Sequence, residues 1–282
     1  WLECKAGGLE VVGNRAEQSL SIVDIAADAV LHDDGQIFSC DITPHGRQRR
    51  VYTQRDPLLG VISAITPFNH PMNQVAHKIV PAVATNNRVV LKPSEFSSVS
   101  TLAFARLFQE AGFPPGVVNV VTGLGRDVGD ALVRHPLTRA IAFTGSDGTG
   151  RHIAQQAARD FKRVVLELGG KSPNIVFEDA DLDAAANGAA TAILNVSGQS
   201  CVAGTRLLVQ DSVYDRFMAK LLAVARLPRM GNPMDAKTTL GPLSTRFQYD
   251  KVLNYIEIAK AEGAQLLLGG QAATRPECGQ GW

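Results

Sequence analysis

The sequence contains few cysteines, and they do not occur in pairs. The four thiols, Cys4, Cys40, Cys201 and Cys278, lie far apart and form no C-x-x-C motif. This spacing argues against a zinc site and against the disulfide framework of a small secreted protein. We therefore expect no bound metal, and we expect a reducing, cytoplasmic location.

The sequence also lacks an excess of charge, with 28 basic and 27 acidic residues and no long run of either sign. This balance predicts no nucleic-acid partner and no membrane partner. No stretch reaches the apolar length of a membrane span, and the N-terminal "WLECKAGGLE" lacks the form of a signal peptide. A starting Met is absent and the chain stops abruptly at "GQGW", which favours a fragment of a longer protein.

Internal repeats and low-complexity segments are absent, and short β-rich runs instead alternate with helix-like segments. The runs lie at residues 59–65, 88–92, 117–121, 139–143, 163–168, 174–178 and 206–210. Several are apolar throughout, as is typical of parallel strands that are covered on both faces. The alternation predicts an α/β fold with a doubly wound parallel sheet, and the length of 282 residues predicts two domains.

Two segments depart from this alternation. Residues 37–57 are polar and basic and centre on "PHG", which predicts a hairpin projecting from the main body, either for subunit contacts or as a plain surface hairpin. The segment "HPMNQVAHKIVPAVATNN" has the pattern of a helix but holds Pro81 in its interior. We expect a kink or break at that proline.

Two glycine-rich turns, at residues 121–129 and 143–150, each follow a predicted strand. Glycines between a strand and a helix allow the backbone to approach a dinucleotide phosphate, although neither turn matches G-x-G-x-x-G and simple tight turns remain an alternative. In "VLKPSE", Lys92 ends a strand where it can reach a ribose or phosphate, and Glu95 can accept from ribose hydroxyls. A solvated charged loop is the alternative for this second stretch.

Three further residues carry reactive groups. Glu167 interrupts the otherwise apolar strand of "LELGGK", where an ionised carboxylate needs a partner, and such a group is a good general-base candidate. Asn69 in "TPFNHP" offers an amide that can donate to an oxyanion or simply form a turn. Cys201 in "GQSCVAGTR" is either a nucleophile or an ordinary buried thiol.

Taken in order, "PFN", "LKPSE", "FTGS", "LELGGK" and "GQSC" resemble the successive signatures of the NAD(P)-dependent aldehyde dehydrogenase superfamily. The intervals fit as well, with 23 residues from Asn69 to Lys92 and 34 from Glu167 to Cys201. The resemblance runs from residue 57 to about residue 260. It implies a Rossmann-like NAD-binding domain at residues 1–168 and part of a second α/β catalytic domain at residues 169–282.

The resemblance also implies a mechanism. A Cys201 thiolate attacks the aldehyde, and the Asn69 amide and the Cys201 backbone N–H stabilise the oxyanion. Hydride leaves for the nicotinamide and a thioester remains. Water activated by Glu167 then hydrolyses the thioester to a carboxylic acid.

Cofactor contacts are implied in the same way. Lys92 and Glu95 hold the adenosine ribose, and Ser146 contacts the diphosphate. A carboxylate at Glu95 repels a 2′-phosphate, so we expect NAD rather than NADP. The remaining implied cofactor contacts are Phe68, Gly125, Gly129, Phe143, Leu168 and Gln248.

The substrate is less sharply indicated. His70, Asn73 and His77 place polar side chains in the helix after the "FN" motif, which favours a short polar aldehyde and resembles members acting on phosphonoacetaldehyde or lactaldehyde. Those members carry Arg immediately before the nucleophile, whereas this chain has Ser200. Ser200 is included among the predicted substrate contacts, and which aldehyde is oxidised stays open.

Three alternatives compete with this interpretation. The first is a CoA-acylating semialdehyde dehydrogenase of the same fold, against which Glu167 argues. The second is a Cys-His hydrolase that pairs Cys201 with His70 or His77. The third is a truncated, inactive relative with a binding or structural role, because the rest of the catalytic domain and the family's assembly strand lie outside this sequence. The full-length form is expected to be a homodimer or homotetramer.

Overall fold

The computed structural model describes residues 2–33, 35–39, 43, 45–46, 50–53, 56–279 and 281–282, without the side chains of residues 2–16 and 277. The chain divides into two compact units. The N-terminal unit consists of Ala16–Pro67 and Pro71–Glu167, and the C-terminal unit of Trp1–Arg15, Phe68–His70 and Leu168–Trp282. The functional domain boundary after residue 168 stays a prediction.

The N-terminal unit is built on a five-stranded sheet in the order β5-β4-β3-β6-β7. Strand β3 pairs in parallel with β4 and β6, and β4 pairs in parallel with β5. This arrangement confirms the predicted α/β fold with a parallel sheet. Its strands are β3 (Val61–Ile65), β4 (Arg88–Lys92), β5 (Val118–Val120), β6 (Thr138–Gly145) and β7 (Arg163–Leu168). Its helices are α1 (Leu2–Leu31, in this unit from residue 16), α2 (Asn73–Ala84), α3 (Ser98–Glu110), α4 (Asp130–Arg134) and α5 (Asp147–Ala158).

The core of this unit forms where α2 and the central strands meet. Val75 and Ile79 lie one helical turn apart on α2, and both are fully buried together with Leu91 of β4. The helix continues through Pro81 to Ala84, so a break at this proline is wrong, whereas a kink stays a prediction. Pro81 lies in the last turn and on the exposed side, so only one helical hydrogen bond is lost there.

The segment predicted as a hairpin contains two short antiparallel strands, β1 (Gln36–Ser39) and β2 (Arg50–Thr53). All eight strand residues are exposed. The predicted range also includes residues 40–42, 44, 47–49, 54 and 55, which lie outside the described residues. Whether the hairpin serves subunit assembly stays a prediction.

The C-terminal unit pairs two parallel strands, β8 (Pro173–Val176) and β9 (Arg206–Val209). Its helices are α6 (Leu182–Leu194), α7 (Tyr214–Ala225) and α8 (Arg246–Ala261). Phe217 of α7 is fully buried in a cluster with Val176 and Ala186. Among the described residues, no helix is long and apolar enough to cross a membrane.

Candidate functional site

The carboxyl edge of the sheet in the N-terminal unit collects several predicted cofactor residues. Lys92, the last residue of β4, and Phe143 of β6 both stand in register with Ile65 of β3. The side chain of Lys92 is only 3% exposed, and its Nζ lies 3.3 Å from Oε2 of Glu95. Open α/β sheets bind ligands at this edge, so a buried, partly neutralised cation is placed where a dinucleotide would lie.

The first glycine-rich turn meets the same lysine. Gly125 begins a single π-helical turn, Gly125–Gly129, which continues directly into α4. A Cβ added to Gly125 would lie 4.0 Å from Nζ of Lys92. A backbone without side chains next to a buried cation leaves room for a negatively charged group, as a phosphate or ribose site requires. Lys92, Glu95 and Gly125 thus lie close together, and π-helical turns are frequent at functional sites. Their contacts with a cofactor stay predictions.

The second glycine-rich turn ends at the N-terminus of α5. Ser146 is the N-cap of this helix, and its Oγ accepts from the backbone N–H of Thr149 at 3.3 Å. The helix dipole places partial positive charge at this end, which suits a diphosphate. Gly145 is required beside it, because a Cβ there would lie 2.5 Å from Cζ of the buried Phe143 ring.

Glu167 does not occupy the environment that its sequence predicted. The side chain is exposed in the described structure, so the expected burial of a carboxylate within an apolar strand is wrong. The reason is its position on β7, which lies at the edge of the five-stranded sheet rather than at its centre. Its negative charge nevertheless acts on two basic groups of α2, raising the pKa values of His77 and Lys78 against the effect of burial.

Lys78 is a buried amine that the sequence reasoning missed. Its Nζ donates to Oγ1 of Thr144 at 2.5 Å and to Oε1 of Gln74 at 3.3 Å. Burial lowers the pKa of Lys78 to about 8, and the charge of Glu167 opposes this shift. An amine with a pKa near 8 releases and takes up protons close to neutral pH. A lysine inside the apolar run of α2 was the sequence signal that could have identified it.

His77, the neighbour of Lys78, was predicted to contact substrate. It is exposed, and its pKa is lowered, first by partial burial of the ring and then by the positive charge of Lys78. A lowered pKa keeps the imidazole neutral near pH 7, so His77 presents a polar but uncharged group. Asn73, on the same helix, is only 8% exposed and therefore offers little surface to a ligand.

In the C-terminal unit, Asn69 is attached to the loop that carries Cys201. The Nδ2 of Asn69 donates to the backbone carbonyl of Gln199 at 2.6 Å, although these residues are 130 positions apart. This bond orients the amide beside a loop whose cysteine follows two residues later. Cys201 is a free, partly buried thiol. The Asn69 amide and the Cys201 loop are therefore brought together, as an oxyanion site of these groups requires.

The Cys201 loop is held from several sides. Oε1 of Gln199 accepts from the backbone N–H of Ser244 at 3.0 Å, and Oγ of Ser197 donates to the carbonyl of Gly241 at 2.7 Å. Gly170 of "LELGGK" approaches so closely that a Cβ there would lie 3.3 Å from the carbonyl oxygen of Cys201. A side chain at position 170 would therefore require the Cys201 backbone to shift by a few tenths of an ångström.

The backbone just before this loop adopts an unusual conformation. Val196 and Ser197 have φ angles of 58° and 54°, in the left-handed region that residues with a Cβ disfavour. Such conformations persist only where surrounding contacts enforce them, and they cluster at functional sites. No sequence pattern indicated this pair, because neither residue is a glycine or an asparagine.

The remaining predicted residues lie in the C-terminal unit. Phe68, His70, Leu168 and Ser200 belong to the C-terminal unit, as does Gln248 in the first turn of α8. That unit contains a cavity of about 930 Å³ bordered by Ser197 and Trp282, and none of the predicted substrate residues lines it. Over the described part of the chain, no group of three or more His, Cys, Asp or Glu side chains could hold a metal ion.

Comparison with known proteins gives a consistent result. The sequence model described as "Aldehyde dehydrogenase family" matches residues 8–282. An aldehyde dehydrogenase of Agaricus bisporus is 43% identical over 84% of this chain and 46% of its own length. A betaine aldehyde dehydrogenase of Bacillus subtilis is 42% identical over 89% of this chain and 50% of its own. The chain spans about half the length of these curated relatives.

A solved structure is similar over nearly the whole chain. It is PnpE, a protein from Pseudomonas sp. WBC-3, in complex with nicotinamide adenine dinucleotide. The TM-score is 0.90 at 40% sequence identity, over 96% of this chain and 55% of that one. The fold and the sequence model thus agree on one family.

Proposed function

The chain belongs to the aldehyde dehydrogenase family, and we propose that the protein oxidises an aldehyde to its carboxylic acid with NAD as the hydride acceptor. One observation carries this proposal: the 2.6 Å hydrogen bond that places the Asn69 amide against the loop of Cys201. A nucleophile beside an amide donor is the pair that carbonyl addition requires.

In the proposed reaction, the Cys201 thiolate adds to the aldehyde carbon. The Asn69 side chain is the proposed donor to the oxyanion that forms. The Cys201 backbone N–H is the second proposed donor. Each such donor in an oxyanion site contributes about 10²–10³ in kcat in well-studied enzymes, so Asn69 is assigned a large share of the rate.

NAD is proposed to bind at the carboxyl edge of the sheet in the N-terminal unit. The fit rests on Gly125, whose missing side chain leaves open space 4.0 Å from Nζ of Lys92, and on the α5 N-terminus at Ser146. Lys92 and Glu95 would hold the adenosine ribose, and Glu95, which is 40% exposed, would disfavour a 2′-phosphate. When bound, NAD accepts the hydride of the substrate. Gly129, Phe143, Phe68, Leu168 and Gln248 remain proposed contacts by resemblance alone.

Glu167 is proposed to activate the water that hydrolyses the thioester on Cys201. Its exposure leaves it accessible to that water. Attack on the thioester by water rather than by the thiol of coenzyme A distinguishes this proposal from a CoA-acylating enzyme.

The substrate is proposed to be a short polar aldehyde. The support is the polar character of His70, His77 and Ser200, with Asn73 supporting the site from a mostly buried position. A homodimeric or homotetrameric full-length form and a cytoplasmic location stay predictions.

The proposal is tested by mixing the protein rapidly with NAD and a panel of short aldehydes. We expect a burst of NADH equal to the protein concentration, because hydride transfer precedes hydrolysis. Cys201→Ala should abolish the burst, whereas Glu167→Gln should keep the burst and slow the steady state. In a parallel reaction that also contains coenzyme A, acyl-CoA instead of free acid would support the acylating alternative. A burst that survives Cys201→Ala would refute the proposal.

A further inference from the structure

The helix α4 is too short to be stable without contacts to the rest of the protein. It has five residues, Asp130–Arg134, and only Val133 among them is buried as a side chain. Isolated helices of this length are unstable in water, and their last carbonyl groups have no partners within the helix. Its N-terminal end continues without interruption from the π-helical turn that contains Gly125. Whatever holds α4 therefore also holds that turn.

A buried lysine fastens the C-terminal end of α4. The side chain of Lys162 is 2% exposed, and its Nζ donates to the carbonyl of Val133 at 2.6 Å and to that of His135 at 2.9 Å. Oδ2 of Asp160 lies 3.5 Å from the same amine. Lys162 is not among the proposed cofactor contacts, and it lies five positions before Glu167. The proposed reaction therefore gives it no role. Its charge is instead neutralised by carbonyl dipoles and one carboxylate.

A hydrogen bond between two side chains fastens the N-terminal end. Oδ1 of Asp130 lies 2.7 Å from Nε2 of His152, which belongs to α5, and Oδ2 of Asp130 lies 2.7 Å from Nε of Arg134. The hydrogen bond from His152 is the main cause that lowers the pKa of Asp130, and Arg134 adds to it. Because Ser146 is the N-cap of α5, this pair joins the two helices that follow the two glycine-rich turns.

We infer that Lys162 and the Asp130–His152 pair are positioning groups for dinucleotide binding, which hold α4 so that the Gly125 turn stays beside Lys92. The inference rests on the proposed function, and it assigns none of these residues a contact with NAD. A backbone that approaches a ligand closely must be held in place, since a loose turn loses part of the binding free energy when it is ordered. The contacts of Lys162 and of the Asp130–His152 pair hold the turn in place before NAD binds.

The test measures the dissociation constant for NAD in three variants by fluorescence titration, well below the melting temperature. Lys162→Met, which removes two hydrogen bonds from a charged donor, should weaken binding by about tenfold. His152→Gln, which removes this partly exposed contact with Asp130, should weaken NAD binding by roughly threefold. Lys220→Met removes an exposed pair with Asp183 in the C-terminal unit and should change nothing. The alkylation rate of Cys201 should be the same in all variants.

If Lys162→Met does not fold, His152→Gln and the conservative Lys162→Arg carry the test, and the arginine should restore most of the affinity. A lower melting temperature with an unchanged dissociation constant would mean a purely structural role and would overturn the inference. Equal affinities for NAD in His152→Gln and the unchanged protein would overturn the positioning role of the Asp130–His152 pair. If the unchanged protein does not bind NAD at all, the proposed function fails and this inference with it.

Discussion

Replacing Lys78 with methionine removes an amine that is charged at neutral pH yet largely withdrawn from water. Burial lowers its pKa from 10.5 to about 8 in the folded protein, a difference of about 2.5. At 1.36 kcal/mol for each pH unit, the folded state gains about 3 kcal/mol relative to the unfolded state as pH rises from 8 to 10.5. The sign follows because the unfolded chain keeps this proton over that range whereas the folded chain has released it.

The assay is urea unfolding followed by circular dichroism at several pH values, with the unfolding free energy of Lys78→Met subtracted from that of the unchanged protein. We expect the difference to grow by about 3 kcal/mol in favour of the unchanged protein between neutral pH and pH 10.5. Lys220→Met, at a lysine whose side chain is 40% exposed, is the matched control and should show a difference independent of pH. A flat difference for Lys78→Met would refute the idea that this amine is desolvated.

Three other outcomes follow from the described contacts. Asn69→Ala should lower kcat by about 10²–10³ with little change in the KM for NAD, and a loss below tenfold would remove Asn69 from the oxyanion site. Gly170→Ala should slow turnover, because its Cβ would lie 3.3 Å from a backbone oxygen, whereas Gly188→Ala, in open space on α6, should raise the unfolding free energy by up to about 1 kcal/mol. Steady-state kinetics should detect the slower turnover of Gly170→Ala, and chemical denaturation should detect the higher unfolding free energy of Gly188→Ala. Equal turnover in the two variants would count against the close approach of Gly170 to Cys201. His152→Gln should raise the pKa of Asp130 toward its ordinary value in a carboxyl NMR titration, and an unchanged value would show that the 2.7 Å contact is absent in solution.

The sheet could be predicted from the sequence because its strands carry continuous apolar runs. The predicted limits of β4 and β7, residues 88–92 and 163–168, agree with the structure residue for residue. Both strands belong to the sheet of the N-terminal unit, where parallel neighbours favour β-branched and apolar residues over strict alternation. The order of the motifs along the chain then identified the family, which no single motif could do.

The surroundings of Glu167 and Lys78 could not be predicted, because they depend on distant parts of the chain. A strand pattern does not reveal whether the strand lies at the centre or at the edge of its sheet, and the exposure of Glu167 follows from an edge position. Lys78 is buried by packing that includes Thr144, 66 residues away. On a helix taken alone, a single lysine is expected to extend into solvent.

The left-handed backbone at Val196 and Ser197 has a consequence for attempts to improve this protein. Each residue there is less stable than a glycine would be, by about 1–2 kcal/mol where the strain is not relieved. Ser197→Gly would relieve this strain, but it would also remove the 2.7 Å hydrogen bond from Oγ of Ser197 to the carbonyl of Gly241, so the two effects on the unfolding free energy oppose each other. Glycine would also give the segment leading to Cys201 more freedom to move. Ser197→Gly should thus change the catalytic rate more than it changes the melting temperature.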